Sequence, residues 1–317
     1  MSLKRILAAV LVSCAAAACA TPQTSYLENN PDAVPRQGSV PDPVFFAQKT
    51  QECGPASLAM VLSQTGVRVR PEDLVPDVYN PGREGTLTPA LVAAARRHGR
   101  IAYPVGDLVT ALRAVHQGRP VLVLQNLALQ WYPRWHYAVL VGYDLDRGTV
   151  TLHSGVTQFL EMPLTTFEHT WKRGGYWGLL ALRPGEFPDP VAEEVYVNAV
   201  AGVERAGRFE IAAHAYWAAA RRWPTNLVAG LGLGNALYKM GELRAAAKAY
   251  RAVTRANPKA ADAFNNLAHV LGELGELDAA ERAARTAVAL GGANIAAYQQ
   301  TLRTVLAARD TRTAVSY

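Results

Sequence analysis

Residues 48–60 read QKTQECGPASLAM and set Cys53 against Gly54 and Pro55 at the head of an apolar run, CGPASLAMVLSQTG, that has the composition of a buried helix. Proline suits the first helical turn, where its missing N–H costs nothing, and glycine allows the backbone to approach a substrate closely. A sulfur at a helix N-terminus meets unpaired backbone N–H groups and the positive end of the dipole. Both favour the thiolate, the reactive form. Cys53 is therefore placed as a nucleophile, provided that a base reaches it in space from elsewhere in the chain.

Why the thiol is unpaired follows from the N-terminus. Lys4 and Arg5 precede ILAAVLVSCAAAA, a run too short to span a bilayer but fitting the apolar region of a secretory signal. It ends in AAAC followed by ATPQTS and resembles a bacterial lipoprotein signal, in which a cysteine after small residues is lipidated as the first mature residue. Residues 1–18 then form the signal and Cys19 the lipidation site, with Cys14 as the alternative. Cys14 leaves with the signal and Cys19 is acylated, so Cys53 has no intramolecular disulfide partner. Ala20 after the lipidated cysteine favours a bacterial outer membrane, with the protein facing the periplasm and held there through the lipid.

The 317 residues are 50% hydrophobic and 18% charged, which suits about two globular domains and argues against disorder. Removing Lys4 and Arg5 lowers the formal charge from +6 to +4, and the remaining basic residues are scattered, so nucleic acid is not an expected partner. Residues 19–43, rich in Pro, Gly, Asn and Ser, read as a tether. From 44 to 187, helix-like segments (CGPASLAMVLSQTG, TPALVAAARRHG, GDLVTALRAVHQG) come first, and strand-like runs (RPVLVLQNL, HYAVLVGYD, GTVTLHSG, YWGLLALRP) follow. Turns as short as DLDRG make the later strands antiparallel neighbours, and the whole pattern is α+β.

Beyond a Pro-rich break, RPGEFPDPV, the composition turns to Ala-rich helix with a period of 34. Gly207, Gly241 and Gly275 share one phase, Ala212, Ala246 and Ala280 another, and Pro224 and Pro258 a third. That period in helical sequence is the tetratricopeptide signature. Three units (193–226, 227–260, 261–294) and a covering helix occupy residues 192–310, an all-α repeat domain. The first unit departs from the pattern at Ala199-Val200 and the third at Gly292. Such repeats resemble protein-binding scaffolds, so a protein partner is expected there, with a purely structural role as the alternative.

Seven histidines compete to serve Cys53. His136 opens the strand-like HYAVLVGYD directly after the aromatic loop LQWYPRW, at a sheet edge facing a cleft. His98 and His116 fall near helix ends, His169 lies in a helix-like segment, and His214 and His269 belong to the repeats. Trp131, Tyr132 and Trp135 line a substrate groove or belong to the core.

Gln48, Cys53-Gly54-Pro55-Ala56 and the stretch from His136 to Asp144 together resemble the papain-like peptidases of bacteriocin exporters, which cut after double-glycine leaders, and their stand-alone relatives. The resemblance covers about residues 44–160. It implies that Cys53 attacks a carbonyl and that His136 is general base and then general acid. The Gln48 amide and the Cys53 backbone N–H stabilise the oxyanion. The chemistry is thioester acyl transfer ending in hydrolysis of a peptide or protein substrate, and it requires no metal or cofactor. The family places Asp or Asn on the next strand to orient the histidine, where this chain has Leu152-His153-Ser154-Gly155; Ser154, His153 and Asp144 are the candidates. The expected molecule is a lipid-anchored cysteine peptidase with a tetratricopeptide platform. The alternatives are an amidase or transpeptidase on the same fold, or a catalytically inactive binding module.

Overall fold

The computed structural model describes residues 21–48 and 52–315, so Cys14 and Cys19 lie outside the described residues. Two compact units are present, an α+β domain and, from Ala192 onward, a helical array.

The first unit opens with α1 (Pro22–Asn29) and β1 (Gln37–Ser39), followed by α2 (Cys53–Gln64) and α3 (Pro71–Val78). A small hairpin of β2 (Tyr79–Asn80) and β3 (Gly85–Thr86) leads to α4 (Thr88–Arg97), β4 (Ile101–Val105) and α5 (Leu108–His116). Then come β5 (Val121–Asn126), β6 (Trp135–Asp144), β7 (Thr149–Ser154), β8 (Thr157–Pro163), α6 (Leu164–Arg173) and β9 (Gly178–Leu182). The main sheet runs β4-β9-β5-β6-β7-β8, and β1 pairs with the far end of β6. β6 is its central strand: antiparallel to β5 through Gln125↔His136 and Val121↔Leu140, to β7 through Val139↔His153, and to β1 through Gly38↔Tyr143. α2 is apolar on every face, and its residues from Gly54 to Leu62 are buried, as a helix inside a core must be.

Residues 22–43, expected to be a tether, are instead built into this domain. Glu168 of α6 is fully buried, and its carboxylate accepts from the backbone N–H groups of Gln23 (2.9 Å) and Thr24 (2.6 Å) and from the Thr24 hydroxyl (2.6 Å). A carboxylate there satisfies orphan N–H groups in the first turn of α1 and faces the positive end of its dipole. Leu27, Val34 and Val40 are buried along the same segment.

The second unit is three helix pairs: α7 (Glu193–Arg205) with α8 (Phe209–Arg222), α9 (Leu227–Lys239) with α10 (Leu243–Ala256), and α11 (Ala261–Glu273) with α12 (Leu277–Leu290). The last helix, α13 (Ile295–Val315), buries Tyr298 and Val305 against them. Gly207, Gly241 and Gly275 stand in the turns within the pairs with φ of 74°, 78° and 74°, a left-handed conformation that only glycine adopts without cost. In α9, Gly232 and Gly234 leave room for the rings of Tyr216 and Tyr250, which occupy the space a Cβ would need.

Candidate active site

Cys53, His136 and Gln48, 83 residues apart from Cys53 to His136, line one cleft of about 820 Å3. The first turn of α2 supplies Cys53, and the start of β6 supplies His136. Gln48 belongs to the segment before α2, which is tied to the end of β7: its backbone N–H donates to the Gly155 carbonyl at 3.0 Å. Cys53 is a free, half-buried thiol.

His136 Nε2 lies 2.8 Å from Ser154 Oγ. Among the three candidates for orienting the imidazole, Ser154 alone makes this contact. Successive residues of a strand point to opposite faces, so His153 turns away. Its ring is fully buried, edge-on to Phe45 and Phe159, and its Nδ1–H donates to the Val44 carbonyl at 3.2 Å. Asp144, at the other end of β6, accepts from the Gln37 side chain and from the backbone N–H groups of Asp146 and Arg147, and is a turn residue.

The Gln48 amide is buried, and its Nε2 donates to the Tyr137 carbonyl and to Ser57 Oγ, both at 3.2 Å. A carbonyl only accepts, so this contact fixes which end of the amide is nitrogen. Gly54 approaches protein rather than substrate: a Cβ there would sit 2.5 Å from the Thr86 side chain, so the glycine is what lets the β2–β3 hairpin close down on α2.

The electrostatics differ from the expectation of a pre-formed thiolate. Burial pushes the Cys53 thiol up, against the backbone N–H groups of Tyr137, Gly54 and Cys53 itself, which pull it down. Burial also pushes His136 down, and the guanidinium of Arg134 adds to this. Both effects favour a neutral thiol and a neutral imidazole in the cleft.

Several cleft residues were not anticipated. Arg83, Thr86, Leu87, Arg134 and Tyr137 all line the cleft, and the Tyr137 hydroxyl donates to the Thr86 carbonyl at 3.1 Å. The turn-rich NPGREG of residues 80–85 signals a tight hairpin but carries nothing to connect it with Cys53. Trp135 lines the cleft, whereas Trp131 and Tyr132 are 81% and 73% exposed on the β5–β6 loop and belong to neither core nor cleft wall.

Among the described residues, no cluster of three or more His, Cys, Asp or Glu could hold a metal, and no helix is long and apolar enough to cross a membrane. Residues 41–178 match the model of the Peptidase_C39 like family, and residues 231–300 that of the tetratricopeptide repeat. No curated protein matches the chain. Among solved structures, one described as a C39-like peptidase from Bacillus anthracis is similar at 18% identity, covering 47% of this chain and 98% of its own, with a TM-score of 0.41. The first tetratricopeptide domain of human RPAP3 is similar at 17% identity over 39% of this chain and 97% of its own, TM-score 0.36. The Yersinia enterocolitica type III secretion translocator chaperone SycD is similar at 19% over 39% and 90%, TM-score 0.36. The chain thus carries a region similar to the Peptidase_C39 like family, followed by a region similar to tetratricopeptide repeats.

Proposed function

We propose that the first domain is a cysteine peptidase in which Cys53 is the nucleophile, His136 the general base and then acid, and Gln48 an oxyanion donor. The observation that carries this reading is the 2.8 Å contact between His136 Nε2 and Ser154 Oγ. With Nε2–H donating to the hydroxyl, Nδ1 is the ring's only acceptor and takes the Cys53 proton as the sulfur attacks a peptide carbonyl. The tetrahedral oxygen then competes with Ser57 for one hydrogen of the Gln48 amide and receives the Cys53 N–H. His136 returns its proton to the leaving amine, which leaves a thioester. Water attacks that thioester with His136 again as base, and the acid product and free thiol are released.

The test is alkylation of Cys53 by iodoacetamide at neutral pH in the wild type and in His136→Ala, alongside cleavage of candidate peptides by intact mass. A wild-type rate no faster than free cysteine, unchanged by His136→Ala, would sink the catalytic reading. A second reading, a binding module that has lost activity, is favoured by the raised Cys53 thiol and by the engagement of both Gln48 donors. It predicts that result.

The repeats act in this proposal as the site where a protein substrate or partner is held. The chain is anchored through a lipid on Cys19 to the periplasmic side of a bacterial outer membrane, a reading supported by the apolar run and AAAC. Incorporation of labelled palmitate, lost in Cys19→Ser, tests the anchor; loss in Cys14→Ser instead moves it.

A further inference from the structure

The cleft around Cys53 carries two cations that pair with no acid among the described residues. Arg83 lies in the turn between β2 and β3, Arg134 immediately precedes β6, and both line the same cleft as Cys53 and His136. Elsewhere in this domain, Arg36, Arg97, Arg113 and Arg147 meet Asp146, Asp77, Asp189 and Glu161 at 2.8, 3.0, 3.4 and 2.7 Å. Arg83 and Arg134 make no such pair among the described residues, and the lone carboxylate on the cleft wall, Glu84, is already engaged within the protein. A guanidinium offers a planar fork of donors matched to a carboxylate, and two of them flanking a cleft attract anions to it.

Arg134 also bears on the chemistry. Its charge acts on His136, where it disfavours the imidazolium that must form when the Cys53 proton is taken. An anion seated against Arg134 offsets that repulsion, so a substrate bringing its own carboxylate makes the proton transfer easier as it binds.

We propose that the cleft selects peptides with an acidic side chain beside the scissile bond, and that Arg83 and Arg134 are the residues that bind its carboxylate. The proposal rests on the peptidase reading, and its test reports on the arginines separately from catalysis. Cys53 is alkylated with iodoacetate, which is anionic, and with iodoacetamide, its neutral counterpart, and the rate ratio is compared with that of N-acetylcysteine in the same buffer.

The ratio at Cys53 is expected to exceed the free-thiol ratio by on the order of tenfold at low salt, and to fall towards it at high salt. It is also expected to fall in Arg83→Gln/Arg134→Gln, whose altered side chains are exposed and leave the core untouched. Tetraglutamate should slow the reaction with iodoacetamide in the wild type, whereas tetraglutamine should not. A ratio equal to that of the free thiol, a ratio unchanged in the double variant, or equal protection by the two peptides overturns the proposal. Loss of the His136→Ala effect with the ratio intact overturns catalysis but leaves the anion site standing.

Discussion

Ser154 is the residue on which the proposed chemistry turns, because a neutral hydroxyl meets His136 Nε2 where the resemblance leads one to expect Asp or Asn. A hydroxyl holds the imidazole in position through a hydrogen bond worth about 1 kcal/mol net, and it contributes little to stabilising the imidazolium. Removing it leaves the half-buried Nε2–H unpaired, so Ser154→Ala should lower the iodoacetamide rate at Cys53 roughly 10- to 100-fold. Ser154→Asp should do the opposite, raising the basicity of His136 and increasing the rate at neutral pH; a pH–rate profile that does not move in Ser154→Asp removes Ser154 from the mechanism. Gln48 separates differently. If it serves only the oxyanion, Gln48→Ala should cut peptide turnover about 10²- to 10³-fold while the alkylation rate of Cys53 stays within a few fold of wild type, since alkylation forms no oxyanion. The sequence singled out Cys53 as a lone thiol at a helix start and His136 as a histidine at the head of a strand, and reached Gln48 only through the resemblance to the double-glycine peptidases. It left Ser154, His153 and Asp144 unresolved because the choice depends on which face of the sheet each side chain takes, and the β7–β8 pairing shifts register between Leu152 and Ser154.

At the scale of elements, legibility followed the distance over which each element is held. The repeat helices were readable because each unit restates the same local signals, and paired helices begin at residues 193, 227 and 261, one period apart. α1 was not readable, because the acid that caps it is supplied from 144 residues away, and its own Asn- and Pro-rich flanks have the composition of a linker. Glu168→Ala should therefore cost roughly 1.5–3 kcal/mol for hydrogen bonds to a charged group and release α1. Limited proteolysis should then cleave between residues 21 and 36 in the variant and not in the wild type; equal resistance in both would refute the capping role. In the repeats, the close packing of Tyr250 on Gly234 makes a different prediction. Alanine ordinarily favours a helix over glycine by about 1 kcal/mol, but in Gly234→Ala the added methyl overlaps the Tyr250 ring. The variant should be less stable by about 1–3 kcal/mol in urea unfolding followed by helical signal, reversing the sign that propensity alone gives.

For the molecule as a whole, the buried polar groups of the α+β domain set how it responds to acid. His136 and His153 are both held below the ordinary histidine range, in each case chiefly by burial. At His153 the bond from Nδ1–H to the Val44 carbonyl favours the charged ring and opposes burial, but Nε2 is buried with no partner among the described residues and the ring packs against Phe45 and Phe159, so a proton arriving on Nε2 finds no acceptor there. In the unfolded chain the same rings take up a proton near pH 6.5. Below that pH the unfolded state binds more protons than the folded one. The stability that these two rings contribute is therefore full above about pH 6.5 and is lost progressively as the pH falls towards the depressed folded-state values. Val44 lies four residues before Gln48, so unfolding that begins at His153 loosens the segment that carries the proposed oxyanion donor. His153→Phe fills the same apolar cage without a titrating nitrogen, and should show a smaller fall in urea midpoint between pH 7 and pH 5 than the wild type, even though losing the bond to Val44 lowers its midpoint at pH 7. Parallel midpoint curves for the two proteins would assign the acid sensitivity to His136 or to groups elsewhere in the chain.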